Sequence, residues 1–308
     1  MAAPSKYDTD WFTDADELGK KSGLGTRNTP AVDRAIALAE AFGKRPGGGM
    51  FKLLERQKIA KGLVKRLNEP NSFDQGSTWL CGIATFVRVW AFDHPVEFVT
   101  LAVDLFEKGK GKLVGHGKYG GKTITPSKEL RDSPPAKLSN NDDFNHADWI
   151  VLASIREAFN DVFNYSADEG VFRIKAWNFP SDVEREFKAA GYTRVINKAA
   201  NGVGGGGFQN FSEAADLYER DWRVILLINS RLLSAKPEDV ASTGVLNTSN
   251  HWVGLNSSIV VNTFNNKALV YPFDVYSWNR IHTIPDWKKP IAFATLDVSY
   301  FGFVAGKF

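Results

Sequence analysis

Apolar residues recur every three or four positions through much of the first half of the chain, a spacing that predicts amphipathic helices. One long apolar stripe is broken at Pro95, where a new helix is predicted to begin. The predicted helices cover residues 30–42, 50–70, 77–108 with the break at Pro95, 147–163, 181–191 and 212–221.

The later part of the chain changes to short apolar runs bounded by turn residues, which is typical of strands. Strands are predicted in "YTRVINKA", "WRVILLIN" and, beyond about residue 244, in "NHWVGLNSSIVV", "KALVYPFDVYSW" and "PIAFATLDVSYFGFV". Helices first and an antiparallel sheet later predict an α+β fold.

Composition along the chain suggests two regions. Residues 1–29 are rich in Asp, Gly and Thr and are predicted to be an irregular leader, so that 1–70 form a leader and helical segment. Residues 71–308 then form the main domain. Within it, residues around 109–145 are rich in Gly, Lys, Ser and Asp, which predicts a long inserted loop.

The overall composition is that of a folded globular protein. Nine tryptophans and 22 phenylalanines argue against general disorder, and a formal charge of +3 is too small to indicate a nucleic-acid partner. No stretch reaches the roughly 18 apolar residues that span a bilayer, so no membrane span is expected. The N-terminus lacks the features of a Sec signal or transit peptide. We therefore expect synthesis in the cytoplasm, with export by a specialised secretion system left open.

The single cysteine, Cys81, lies in "STWLCG", where an apolar helix is predicted to begin with Ser77 or Thr78 as its N-cap. With one thiol, no internal disulfide framework is possible. A thiol in a first helical turn lies near unpaired N–H groups and the positive end of the helix dipole, which lower a thiol's pKa. Six residues upstream, the amide of Gln75 could join the Cys81 N–H in binding an oxyanion. The alternative is an inert buried cysteine.

A second group of polar residues lies in "TSNHWVGLNSSIVVNTFNNKALVYPFDVYSWN". His251 opens one strand, and a turn returns the next strand beside it. Counting by the two-residue period of a strand places Asp274, Tyr276 and Trp278 on one face. A carboxylate there could orient the imidazole and leave its other nitrogen for the thiol. Alternatively, His251 is a polar strand end and Asp274 a surface charge.

Taken together, these segments resemble the papain-like cysteine peptidases. In that family a glutamine six residues before the nucleophile builds the oxyanion hole, the cysteine begins a central helix, and a histidine starts a strand of the following sheet. The resemblance implies that Gln75, Cys81, His251 and Asp274 form the site, with Trp278 as a shielding residue. It further implies a Cys–His–Asp triad, a thioester intermediate, a protein or peptide substrate and no cofactor or metal.

The resemblance is closer to bacterial effector and leader-peptide-processing branches, because Gly82 follows the cysteine where plant and lysosomal members have an aromatic residue. It suggests an effector or toxin acting on a protein of another cell, with an immunity protein or inhibitor as a further partner. Asn279 is the alternative to Asp274 beside His251. A glutamine deamidase, a transglutaminase, a peptidoglycan amidase and an inactive partner-binding module remain alternatives.

Three other motifs do not predict sites. "GHGKYGGKT" lacks the first glycine of a phosphate-binding loop at the required spacing. "NNDDFNHAD" lacks the ligand order of a calcium loop, so Asp143 or Asn145 is expected to cap the following helix. "NGVGGGG" is expected to be a flexible loop and lacks the acidic partner of a dinucleotide site.

Overall fold

The computed structural model divides the chain into two compact units. The helical unit comprises residues 26–197, 277–280 and 304–308, and the sheet unit comprises residues 23–25, 198–276 and 281–303. Within these ranges the structure describes residues 23–74, 80–114, 121–135, 145–160, 178–200, 206–234, 236 and 251–308.

Helices make up most of the described helical unit. They are α1 Thr29–Gly43, α2 Arg56–Asn68, α3 Cys81–Asp93, α4 Pro95–Lys108, α5 Lys128–Asp132, α6 His146–Phe159 and α7 Pro180–Ala189. The predicted helices are confirmed to within a few residues, except that α2 begins at Arg56 and not at residue 50. Before it, the N–H of Leu54 donates to the carbonyl of Phe51 at 3.2 Å, so this stretch forms a turn.

Helix α3 is buried around its whole circumference. Every residue from Cys81 to Ala91 is buried, including the polar Thr85 and the charged Arg88. Phe86 and Trp90 stack with ring centroids 6.5 Å apart, and Phe98 of α4 meets Trp90 edge-on at 6.0 Å. This packing holds the helix that begins with the thiol.

Strands occur in both units. They are β1 Gly111–Leu113, β2 Lys122–Ile124, β3 Arg194–Asn197, β4 Arg223–Ile228, β5 His251–Leu255, β6 Val261–Phe264, β7 Lys267–Val270, β8 Phe273–Ser277, β9 Arg280–Ile284, β10 Ile291–Ala292 and β11 Tyr300–Lys307. The fold is thus mixed α+β, as predicted.

The inserted segment 109–145 is more ordered than its composition predicts. Strands β1 and β2 pair antiparallel, with Gly111 opposite Ile124. Ser127 then caps α5 by accepting a hydrogen bond from the N–H of Leu130 at 3.1 Å. The prediction of one long loop is therefore wrong for the described residues, because strands this short show too few alternating positions to be recognised.

In the sheet unit the main strand order is β11–β4–β5–β8–β9, and a second sheet has the order β10–β7–β6. Strands β4 and β5 pair antiparallel, as do β5 and β8. Helices α8 Phe208–Glu219 and α9 Phe293–Asp297 complete this unit, so the predicted C-terminal strand is interrupted by a short helix. In the helical unit, β3 pairs antiparallel with the last residues of β11.

Candidate active site

Cys81 is the first residue of α3 and is 5% exposed. The helix N-cap is Leu80, whose side chain makes no capping hydrogen bond. The predicted cap at Ser77 or Thr78 is wrong for this helix, and both residues lie outside the described part of the chain. The positive end of the helix dipole lies at this first turn, where it stabilises negative charge that develops at the sulfur or at an oxygen beside it.

Gln75, the predicted oxyanion residue, lies outside the described residues, and its role stays a prediction. The residue before it, Asp74, is described and half-buried. Its carboxylate Oδ2 accepts a hydrogen bond from Nδ2 of Asn279 at 3.1 Å. A carboxylate only accepts, so the NH₂ group of the amide faces Asp74 and its Oδ1 faces elsewhere.

The glycine that follows the thiol, Gly82, is required by the packing around the start of α3. A β-carbon built at this position would lie 2.8 Å from the Cβ of Asn178, which is closer than real carbon atoms approach. Asn178 is buried and its Nδ2 donates to Oε1 of Glu186 at 2.9 Å, so the side chain is held in place. Glycine therefore lets the start of α3 approach this pair.

We expect Gly82→Ala to destabilise the protein by about 1–3 kcal/mol, because the added methyl group must displace a held, buried side chain. Urea unfolding measures this loss. Gly48→Ala is the matched control, since a β-carbon there meets nothing within 4 Å. Equal stability of the two variants would contradict the close approach at Gly82.

His251 is the first residue of β5, where it pairs with Ile228 of β4, and it is buried. Burial, followed by the neighbouring charge of His282, lowers the pKa of His251 to about 3. The imidazole is consequently neutral at pH 7. A neutral imidazole has one nitrogen that can accept a proton, which is the form required of a general base.

Asp274 does not meet His251 in the sheet unit. The N–H of Asn256 donates to the carbonyl of Asp274 at 2.8 Å, so Asp274 lies opposite a position five residues beyond His251. At about 3.3 Å per strand residue this is a separation of about 16 Å along the strands. The Asp274 carboxylate instead accepts from the hydroxyl of Thr283 at 2.7 Å. The register therefore argues against Asp274 as the residue that orients His251.

Trp278 and Asn279 form the two-residue turn that joins β8 to β9. Their φ angles are +45° and +57°, the left-handed values that tight hairpin turns require. The prediction that Trp278 continues the strand face of Asp274 is wrong, because β8 ends at Ser277 and the two-residue period ends with it. The indole is 37% exposed.

A buried acidic cluster on α7 was not predicted from the sequence. Glu186 is fully buried, and its Oε2 has no hydrogen-bond partner among the described residues. Asp182, one turn earlier, accepts from Nη1 of Arg156 at 3.3 Å and from Nη2 of Arg185 at 2.6 Å. Burial and then the charge of Asp182 raise the pKa of Glu186 to about 8, against the opposing charge of Arg156.

A sequence signal for this cluster exists in "SDVEREF". Glu186 stands between the buried Val183 and Phe187, so it lies on the apolar face of the helix, where a charged residue is unusual.

The motif "NNDDFNHAD" supplies a helix cap, as predicted. Asn145 caps α6 by accepting from the N–H of Ala147 at 2.9 Å. No group of metal-ligating side chains occurs among the described residues.

Compared with known proteins, the chain matches no model of a protein family and no curated protein. Across the described ranges, no helix combines the length and the apolar content needed to cross a membrane.

Proposed function

We propose that this chain is a cysteine peptidase in which Cys81 is the nucleophile and His251 the general base. One observation carries the proposal: the only thiol of the chain is the first residue of a buried helix, at the positive end of the helix dipole. His251 is unprotonated at pH 7, so one of its ring nitrogens is able to accept the thiol proton. The papain-like arrangement is part of the same proposal.

In the acylation step, the unprotonated nitrogen of His251 takes the proton from the Cys81 thiol while the sulfur attacks the carbonyl carbon of the substrate. Because the pKa of His251 is low, this proton moves as the attack proceeds and is not transferred beforehand. The oxyanion of the tetrahedral intermediate is bound by the Cys81 N–H and the amide of Gln75. The intermediate collapses when the leaving amine takes the proton from His251.

In the second step, water hydrolyses the thioester. His251 accepts a proton from the water, the resulting hydroxide attacks the thioester carbonyl, and the C–S bond breaks. The proton then returns to the sulfur, which releases a carboxylic acid and regenerates the thiol. No cofactor takes part in either half of the reaction.

We assign the orienting role to Asn279 in place of Asp274. The β5–β8 register argues against Asp274, as described above. The hydrogen bond to Asp74 fixes the Asn279 amide so that its Oδ1 serves as the acceptor, which is the group needed to hold an imidazole N–H. Asn279→Ala is therefore expected to slow acylation, and Asp274→Ala is expected to leave the rate within about threefold.

His251→Ala is expected to slow acetylation of Cys81 by p-nitrophenyl acetate about 10²- to 10⁴-fold, because no base remains to take the thiol proton. Release of p-nitrophenolate and the acetylated Cys81 peptide, detected by mass spectrometry, are the measurements. Asp274→Ala is the control for a general effect of sheet mutations. An unchanged rate in His251→Ala at pH 7 would remove His251 from the mechanism.

A further inference from the structure

A buried ion pair contacts the backbone of Asp74. Arg66 of α2 and Asp148 of α6 are joined by two hydrogen bonds, one from Nε to Oδ1 at 2.9 Å and one from Nη2 to Oδ2. The exposed fractions of their side chains are 4% and 0%. Burying such a pair costs desolvation free energy that its attraction often fails to recover, so stability alone is a weak reason to keep it.

The same carboxylate also holds the backbone. Oδ2 of Asp148 accepts a hydrogen bond from the N–H of Asp74 at 3.0 Å. Burial raises the pKa of Asp148, against the opposing charge of Arg66 and the hydrogen bonds that the carboxylate accepts from Arg66 and Asp74. The Asp148 carboxylate therefore holds the backbone at Asp74 as well as the Arg66 guanidinium.

The side chain of Asp74 extends the network in the other direction. Its Oδ2 binds Nδ2 of Asn279, which lies 205 residues later in the chain. Asn279 has a positive φ of 57°, so its position in the turn is set by the backbone and its amide orientation by Asp74. Asp74 thus connects the buried ion pair to Asn279, one residue of the proposed site.

We propose that Arg66 and Asp148 act through Asp74 as positioning residues, which hold the amide of Asn279 for acyl transfer. This inference rests on the proposed function. A purely structural role, in which the pair only joins α2 to α6, predicts instead that mutations at Asp74 change stability or nothing.

Asp74→Ala tests the connection without disturbing the buried pair, because the backbone N–H that binds Asp148 is retained. We expect acetylation of Cys81 by p-nitrophenyl acetate to slow by about 10- to 100-fold, as for a small misplacement of catalytic groups. Asp74→Asn keeps an oxygen that accepts from Asn279 and is expected to rescue the rate to within about threefold. The urea midpoints of both variants should match the wild type. An Asp74→Ala rate equal to wild type overturns the proposal.

A double mutant identifies the path of the effect. If Asp74 acts through Asn279, then Asn279→Ala in the Asp74→Ala background slows acetylation no further than the larger single effect. If the rate loss in the double mutant equals the product of the two single losses, the residues act independently, and the path through Asn279 is overturned. Asp216→Ala, which removes an exposed carboxylate paired with Arg220 on a helix surface, is the matched control and should leave the rate unchanged.

The ion pair is tested with Arg66→Met and Asp148→Leu together, since replacing both partners with apolar residues avoids an unpaired buried charge. A folded double variant should show the same loss of acetylation rate as Asp74→Ala, and a rate equal to wild type overturns the role of the pair.

Failure of the proposed function is distinct from failure of the positioning role. If the proposed function fails, the wild-type protein forms no acetyl adduct on Cys81. If only the positioning role fails, that adduct forms in Asp74→Ala at the same rate as in the wild type.

Discussion

Cys81→Ala is expected to abolish formation of the acetyl enzyme and to lower hydrolysis of a natural amide substrate by about 10³-fold or more. The alanine side chain has no atom that can attack a carbonyl carbon, so the covalent route through the thioester is lost. Because Cys81 is the only cysteine of the chain, any residual labelling by a thiol reagent is also lost. The burst of p-nitrophenolate and alkylation by an iodoacetamide probe measure the two effects.

The control is Cys81→Ser, which keeps the shape of the side chain but offers a hydroxyl in place of the thiol. We expect it to fold like the wild type and to be nearly as inactive as the alanine variant, because a hydroxyl is far harder to deprotonate. Equal activity of the wild type and Cys81→Ala on every acyl substrate would contradict the enzyme proposal. A partner-binding module would then be the better interpretation.

Expression of the wild type and Cys81→Ala in bacterial cells extends the same comparison to the natural target. New protein termini that appear only with the wild type indicate peptide cleavage. Conversion of glutamine to glutamate, without new termini, indicates a deamidase that uses the same thiol. Toxicity that depends on Cys81 supports the proposed effector role.

Glu186→Gln is expected to remove a steep pH dependence from the stability of the protein. The folded protein raises the pKa of Glu186 from its usual value of 4.5 to about 8. Below pH 4.5 the side chain is protonated in both the folded and the unfolded state, so it adds no pH dependence there. Between pH 4.5 and 8 only the unfolded chain ionises, so this group lowers the free energy of unfolding by about 1.4 kcal/mol per pH unit.

The glutamine substitution removes the ionisable group and retains an oxygen that can accept from Nδ2 of Asn178. The variant should therefore lose the fall in stability between pH 5 and pH 8. Between pH 5 and pH 8, the free energy of unfolding of the variant should rise by several kcal/mol relative to that of the wild type. Comparing the two proteins at both pH values separates this shift from any constant cost of placing an amide at the buried position.

Urea unfolding at half-unit pH intervals measures both slopes. Glu219→Gln on α8 is the control, because that residue is exposed and its replacement should leave the slope unchanged. A wild-type stability that does not decline between pH 5 and 8 relative to Glu186→Gln would contradict the buried, protonated state of Glu186.

Local patterns were sufficient to predict most helices and to identify Cys81 and His251 as candidates for the proposed site. Helix α3 was predictable because its apolar residues form a stripe at helical spacing, and the break at Pro95 was predictable because proline starts helices well. The strands β1 and β2 were hidden, because three-residue strands in a glycine-rich segment carry almost no period. Glu186 was missed although its place on an apolar helix face was visible in the sequence.

The third residue of the site shows where counting along the chain fails. Placing Asp274 beside His251 requires a β5–β8 register in which these two residues face each other, whereas the observed register places Asp274 opposite Asn256, five residues beyond His251. Strand register depends on turn geometry and on which face is packed, so it cannot be obtained from the two-residue period alone. Only the pairing of Asp274 with Asn256 revealed the error.

The sequence by itself determined that Cys81 lies at or just after the start of an apolar helix and that His251 begins a strand, because helix starts and strand starts depend on neighbouring residues. Only the tertiary structure decided that His251 is neutral, since burial sets its pKa. It also decided that Asp74 holds Asn279 across 205 residues of chain. Contacts of that kind depend on how distant segments pack, and no local pattern encodes them.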